Sequence, residues 1–156
     1  MKRLILMPAL ALSACTEFQA AFAPPVVDAP VEPPAPTLDP TPPPPPPPTA
    51  RTVAEFDTTT AEDREAALAA PEPAGETALG TAIGALGNPA DPGIWVETAL
   101  VTELKPGRIT WEGNSVNVEL RPSGGQAGSG AEISLAAMRL LEAPLVGLHE
   151  IMIFAE

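Results

Sequence analysis

Cys15 is the residue whose type and position point most directly to chemistry. It is the single cysteine in the sequence, so no disulfide can form within the chain. A short basic start and an apolar run, 4–12, precede it, and that run is too short to cross a bilayer as a helix. The small residues Ser13 and Ala14 stand directly before the thiol. This order predicts a signal peptide over residues 1–14 that is removed next to a nucleophilic sulfur.

The segment Leu12-Ser13-Ala14-Cys15 resembles the bacterial lipobox residue for residue. The resemblance implies that the signal peptidase recognises Leu12, Ser13 and Ala14, that the Cys15 thiol receives a diacylglyceryl group, and that the new amino terminus is acylated. Acyl chains would then anchor the mature protein in the membrane. Thr16 stands where the enterobacterial sorting rule places Asp for retention, which favours the outer membrane facing the periplasm over the inner membrane. The alternative is an inert cysteine buried in a helix that stays attached.

A metal or cofactor site finds little support in the sequence. Catalytic metal sites need several converging His, Cys or carboxylate ligands, and His149 is the single histidine. We interpret His149 as a surface or strand-end residue, with a lone ligand or base as the alternative. No serine stands in a nucleophile elbow, and the glycines of 124–130 lack the ending of a phosphate loop. We therefore expect no metal, no cofactor and no catalytic residue.

Trp95 and Trp111 are the residues that we single out as possible ligand contacts. Exposed indoles are suitable platforms for glycan, but tryptophans in a domain without tyrosine also serve as core or rim packing. The sequence leaves both interpretations open.

The composition sets limits on partners and on folding. The formal net charge is −12, and loss of the signal peptide with its two basic residues would lower it to −14. Affinity for nucleic acid depends on clustered Lys and Arg, so a nucleic-acid partner is excluded. The 22 prolines indicate that much of the first half cannot form helix or sheet. The compact part is therefore expected in the second half.

The composition changes along the chain predict four segments. Residues 1–14 are the signal peptide, and 15–50 are the lipidated cysteine followed by a proline-rich tether. The tether would form an extended polyproline helix reaching about 75 Å at about 3.1 Å per residue, as a spacer or as a docking strip for a proline-recognising partner. Residues 51–75 are a short connector with a helix over 61–70, capped from Thr59 and solvated or loosely packed.

Residues 76–156 are predicted to form a small, mostly β, barrel-like domain with one or two short helices. The clearest strand is 116–120, in which Val116, Val118 and Leu120 alternate with polar residues and face inward. Further strand pieces are expected at 79–86, 94–96, 99–101, 108–111 and 150–154, with a turn at 105–107 and a hairpin connection at Gly113-Asn114. Ser134 should cap a helix over 135–142.

Two resemblances carry implications for function. The segment 131–141, followed by 146–148 and the last strand, resembles the closing element of the double-psi β-barrel in rare lipoprotein A. Members that cleave peptidoglycan have an Asn-Asp-Arg-Gly segment where this chain reads Glu119-Leu120-Arg121-Pro122-Ser123, so the implied catalytic acid is missing. Glu119 is next in line, although strand alternation favours an ordinary solvent-facing carboxylate. The layout also resembles small alphaproteobacterial lipoproteins that are labelled D-galactarate dehydratase.

We therefore expect a non-catalytic lipoprotein of the cell envelope that presents its domain to peptidoglycan or to an envelope protein. One alternative is a degenerate peptidoglycan-cleaving enzyme similar to a lytic transglycosylase. The other is the sugar-acid dehydratase that the label implies.

Overall fold

The computed structural model describes residues 41–69 and 75–156, which belong to one of the two units into which the chain divides, Pro34–Glu156. The predicted signal peptide, Cys15 with its lipobox residues Leu12, Ser13 and Ala14, and the first part of the tether lie outside these residues. Nowhere in the two described ranges is there a helix with the length and hydrophobicity needed to cross a membrane.

Six strands and three short helices occur in the described residues, and the prediction of a mostly β, barrel-like fold is confirmed. The strands form a closed barrel with the order β1-β5-β2-β4-β3-β6. Their bounds are β1 Thr77–Leu86, β2 Trp95–Thr98, β3 Lys105–Trp111, β4 Asn114–Pro122, β5 Ala131–Ile133 and β6 His149–Ala155, and the helices are α1 Val53–Phe56, α2 Ala61–Ala67 and α3 Leu135–Leu140.

The strand pairing of the barrel has an exchange symmetry. Strand β1 is parallel to β5 and β2 is parallel to β4, while the other four pairs are antiparallel. Exchanging β1, β2 and β3 with β4, β5 and β6 reproduces every pair with its direction. The two halves of the barrel therefore share one topology, although their sequences show no repeat.

Alternation along β4 sets the core, as the sequence predicted. Val116, Val118 and Leu120 are fully buried, while Asn117 and Glu119 on the opposite face are half-buried. Burying each such aliphatic side chain contributes about 1.5–3 kcal/mol. Because β4 pairs with both β2 and β3, its register is fixed from two sides.

Helix α3 covers part of this core, and its predicted cap is confirmed. The Ser134 Oγ accepts hydrogen bonds from the amides of Ala137 at 3.2 Å and of Trp95 at 3.0 Å, so one hydroxyl caps α3 and ties it to β2. Met138 and Leu141 are fully buried beneath the helix. A cap of this kind contributes about 1 kcal/mol.

Two local predictions were wrong. The segment 99–101, expected as a strand, forms the turn after β2, where the Thr98 Oγ1 accepts a hydrogen bond from the Leu100 amide at 3.3 Å. The expected turn at 105–107 is instead the start of β3. Proline is tolerated there because β6 pairs with β3 only from Gly107 onward, so Pro106 lies at the end of that ladder, where its carbonyl accepts a 3.3 Å hydrogen bond from the Glu156 amide.

The connector helix α2 packs on β4 through alanines. Ala66 and Ala67 are buried, and the Asn117 amide of β4 donates hydrogen bonds of 3.2 Å to the carbonyls of Ala66 and Ala69. The capping box uses Thr60 and Asp63, one residue later than the sequence spacing suggested. The helix is therefore held against the barrel instead of being solvated on all sides.

Candidate functional site

A cavity of about 350 Å³ lies where the end of the proline-rich segment meets the barrel. We call it the proline groove. Its walls come from the proline segment, the start of α2, the loop before β2, the start of β3 and the outer face of β4, and it is lined by Thr41, Pro42, Pro43, Thr59, Asp63, Gly93, Ile94, Leu104, Lys105, Pro106, Val118, Glu119 and Arg121.

Strand alternation places Glu119 and Arg121 in the groove. Both side chains stand on the outer face of β4, opposite the inward-facing Leu120. Glu119 pairs with Trp95 of β2 on one side and with Pro106 of β3 on the other. The carboxylate is therefore held over the centre of a three-strand surface and not at a free edge.

Arg121 organises the polar side of the groove. Its Nε donates to the Glu119 Oε1 at 2.6 Å, and its Nη1 donates to the Asp91 Oδ2 at 3.1 Å. The guanidinium carbon lies 4.9 Å from the centre of the Trp95 ring, within cation–π range. Because the side chain keeps 24% of its surface exposed, the guanidinium is positioned by three neighbours and is still accessible.

The remaining walls are mixed in character. The Lys105 Nζ lies 3.5 Å from the carboxylate of Glu103, a partner that is 76% exposed, and such a surface ion pair contributes little stability. Ile94 and the proline rings add apolar surface to the walls, and Leu104 lines the groove with 61% of its surface exposed. The groove thus combines both signs of charge with apolar surface.

The proline segment is part of the groove. The Thr58 Oγ1 donates a 2.7 Å hydrogen bond to the carbonyl of Pro44, and Ala50 is buried. An ideal Cβ placed at Gly93 would lie 3.7 Å from Cδ of Pro43 and 3.7 Å from Cδ1 of Trp95, so both rings lie close to this glycine. The last residues of the predicted tether therefore lie on the domain, which the sequence pattern did not indicate.

The two tryptophans singled out from the sequence occupy different places. Trp95 is 2% exposed and lies beneath Arg121, with its indole Nε1 donating to the Asp91 carbonyl at 3.4 Å. Trp111 is half-buried and meets His149 edge to face, with ring centres 5.3 Å apart. Packing is the role that the structure shows for both rings, and ligand contact by either stays a prediction.

His149 is a strand-end residue, as predicted, but it is buried and does not lie on the surface. It stands at the start of β6, and its Nε2 lies 2.8 Å from the carbonyl oxygen of Pro144. No group of three or more His, Cys, Asp or Glu suited to a metal ion occurs within 41–69 and 75–156.

Another ion pair joins Arg108 of β3 to Glu76, which directly precedes β1, and neither residue lines the groove. The Arg108 Nε donates to the Glu76 Oε1 at 2.5 Å, the second guanidinium nitrogen contacts the other carboxylate oxygen, and the guanidinium lies 4.5 Å from the Phe154 ring centre. The hydrogen bond from Arg108 holds the pKa of Glu76 below its ordinary value, against the opposing effect of burial. The same bond raises the pKa of Arg108.

Sequence reasoning considered Glu119 only as next in line for a missing catalytic acid, and it did not indicate that Arg121, Lys105 and the prolines would be its neighbours. The signal for Arg121 was present, because it follows Glu119 by two residues and so shares its strand face. The contribution of Pro42 and Pro43 had no local signal, since it depends on how the chain folds back on the barrel.

No family model matches the chain, and comparison with curated proteins and with solved structures gives no significant match. The closed six-stranded barrel of mixed strand direction is therefore established on the geometry alone.

Proposed function

We propose that the protein is a non-catalytic lipoprotein of the bacterial envelope whose barrel binds a cell-wall or envelope ligand in the proline groove. The observation that supports the proposal is the accessible Arg121 guanidinium, held between two carboxylates in a groove whose walls also carry apolar surface. Binding sites commonly combine an apolar lining with a few fixed polar groups.

The charges in the groove favour a ligand that carries both signs. Arg121 and Lys105 offer cations and Glu119 offers a carboxylate, while Asp63, whose Oδ2 accepts from Thr60 in the cap of α2, adds negative charge. Peptidoglycan peptides carry free carboxylates and amino groups, so they match this pattern better than a polyanion does. The net charge of −12 further disfavours polyanionic partners.

We further propose that the barrel is of the double-psi type. The exchange symmetry of the two halves, with its two parallel pairs, is in keeping with the double-psi barrel of rare lipoprotein A. That resemblance favours a cell-wall ligand over an envelope protein.

The proposed anchor is Cys15, with its acyl chains in the outer membrane. Labelled palmitate should enter the wild-type protein and should not enter Cys15→Ser. The proposal of a lipoprotein fails if the two incorporate equal label, or if Cys15→Ser matures and fractionates as the parent does.

Sedimentation with purified peptidoglycan sacculi tests the groove, using the full mature chain. We expect the wild type to bind and Arg121→Gln to bind about tenfold more weakly, since one charge-assisted hydrogen bond is worth about 1.5–3 kcal/mol. Arg51→Gln is the matched control, because it removes the same charge from an exposed residue outside the groove. Failure of the wild type to bind, or equal binding by Arg121→Gln, would refute the cell-wall assignment.

One observation favours peptidoglycan cleavage as a second candidate. The Glu119 carboxylate lines the groove and keeps 32% of its side-chain surface exposed, so a glycan bound there could contact it as a general acid must. Its oxygen is already engaged by Arg121, which is why binding is preferred. Release of soluble muropeptides in the same sacculus assay, lost in Glu119→Gln, would establish cleavage in its place.

A further inference from the structure

The proline segment that forms one wall of the proline groove has a composition suited to release and rebinding. Residues 42–47 carry neither helix nor strand, and consecutive prolines favour the polyproline II conformation. That conformation has no internal hydrogen bonds, so its carbonyls are free to accept from a neighbour, as Pro44 does from Thr58. Its fixed backbone angles also reduce the conformational entropy lost on binding.

The prolines of this segment bury little apolar surface. Pro42, Pro44 and Pro45 are exposed, and Pro43 is half-buried beside Gly93. A segment with so little buried apolar surface opens at a low free energy compared with the barrel core. The cavity persists between the segment and β4, so the segment closes the groove without filling it.

We propose that Thr41–Pro44, which form one wall of the proline groove, are held reversibly in a site on the barrel that accepts an extended proline-rich segment. The segment acts as a latch, which must leave before a ligand can reach Arg121 and Glu119 from that side. The inference concerns regulation of the groove and rests on the proposed function in that the groove must be where the ligand binds.

Covalent connection explains why a weak site would stay occupied. A segment joined to its site by a short flexible linker has an effective concentration on the order of millimolar at that site. An outside peptide of the same sequence must compete with this, so the intact protein should bind it poorly. Loosening the latch should expose the site to the outside peptide.

Trp95 provides a spectroscopic reporter for the latch. Trp95 is 2% exposed, and it and Pro43 both lie close to Gly93. The protein has two tryptophans, so labelling with 5-fluorotryptophan gives two ¹⁹F resonances, which a Trp111→Phe spectrum assigns. Opening of the latch should move the Trp95 resonance and leave that of Trp111 in place.

The test uses the full mature chain with Pro42→Gly and Pro43→Gly combined, and a labelled peptide of residues 41–50 as the probe. We expect this variant to bind the peptide at least tenfold more tightly than the wild type, with the Trp95 resonance displaced by the substitutions and returning when peptide is added. Pro45→Gly combined with Pro47→Gly is the matched control, since both of those prolines lie outside the groove lining. It should behave as the wild type.

The latch is refuted if the Pro42→Gly, Pro43→Gly variant binds the peptide no more tightly than the wild type. It is also refuted if the substitutions leave the chemical shift of the Trp95 resonance unchanged. The peptide titration contains no cell wall. Its failure therefore leaves sacculus binding standing, and a failure of sacculus binding leaves a positive peptide result interpretable.

Discussion

Gly107 lies where the barrel has no room for a side chain, and its replacement by alanine tests the packing described above. The residue is buried in β3 and pairs with Val118 of β4 and Ala155 of β6. An added Cβ would meet the Leu120 side chain, with its Cγ at 2.8 Å, and also the backbone carbonyl oxygen of Phe154. A carbonyl within a paired strand cannot rotate away as a side chain can.

The expected cost follows from what must move. Inserting a methyl group into a packed core costs about 1–3 kcal/mol. Displacing the Phe154 carbonyl should also weaken a strand hydrogen bond worth about 1 kcal/mol. We therefore expect Gly107→Ala to lower the free energy of unfolding by about 3 kcal/mol, which for a domain of this size lowers the melting temperature by about 12–24 °C.

Two other glycines with ordinary φ values provide a graded control. At Gly84 the added Cβ would lie 2.6 Å from Cδ1 of Ile133, the flexible end of a side chain, so we expect a loss of about 1–2 kcal/mol. At Gly125 it would meet the hydroxyl of exposed Ser129, which can rotate, so the loss should stay below about 0.5 kcal/mol.

Urea denaturation followed by circular dichroism gives the three values on one scale. The expected order of destabilisation is Gly107→Ala, then Gly84→Ala, then Gly125→Ala. If Gly107→Ala were no more destabilising than Gly125→Ala, β3 and β6 could not be packed as described, and the position of Pro106 in the groove would lose its support.

Glu76→Gln should destabilise the protein at neutral pH but not in acid. The pKa of Glu76 is lowered on folding, so its contribution is complete above the ordinary value of 4.5 and is lost as the pH falls through the lower folded value; urea titrations from neutral pH to about pH 2 should show the two proteins converging. Met138→Ala should cost about 2–5 kcal/mol in the same assay, because the side chain is fully buried and leaves a cavity, and a smaller loss would mean that α3 does not pack as described. Asp57, whose side chain is 2% exposed, joins Arg139 of α3 to Arg64 of α2; Asp57→Asn should cost about 1–2 kcal/mol and speed amide exchange in α2, whereas unchanged exchange would argue against this link.

The barrel was predictable from the sequence where a strand shows alternation. Val116, Val118 and Leu120 revealed β4 because one face of the strand is buried and the other is polar. The start of β3 was mistaken for a turn, since Pro106 and Gly107 carry turn chemistry that edge pairing and close packing override here. Local propensity is a weak guide at positions where the neighbouring strands determine what fits.

The groove could not be predicted in the same way, because no single segment carries it. Glu119 and Arg121 reach it only because Leu120 between them is drawn into the core, so one register decides both the packing and the site. A slip of one residue would bury both charges and expose Leu120. Pairing of Glu119 with Trp95 on one side and Pro106 on the other prevents that slip. The chemistry of the groove is therefore a consequence of strand order, and a change in the core of β4 should alter ligand binding even where it touches no groove residue.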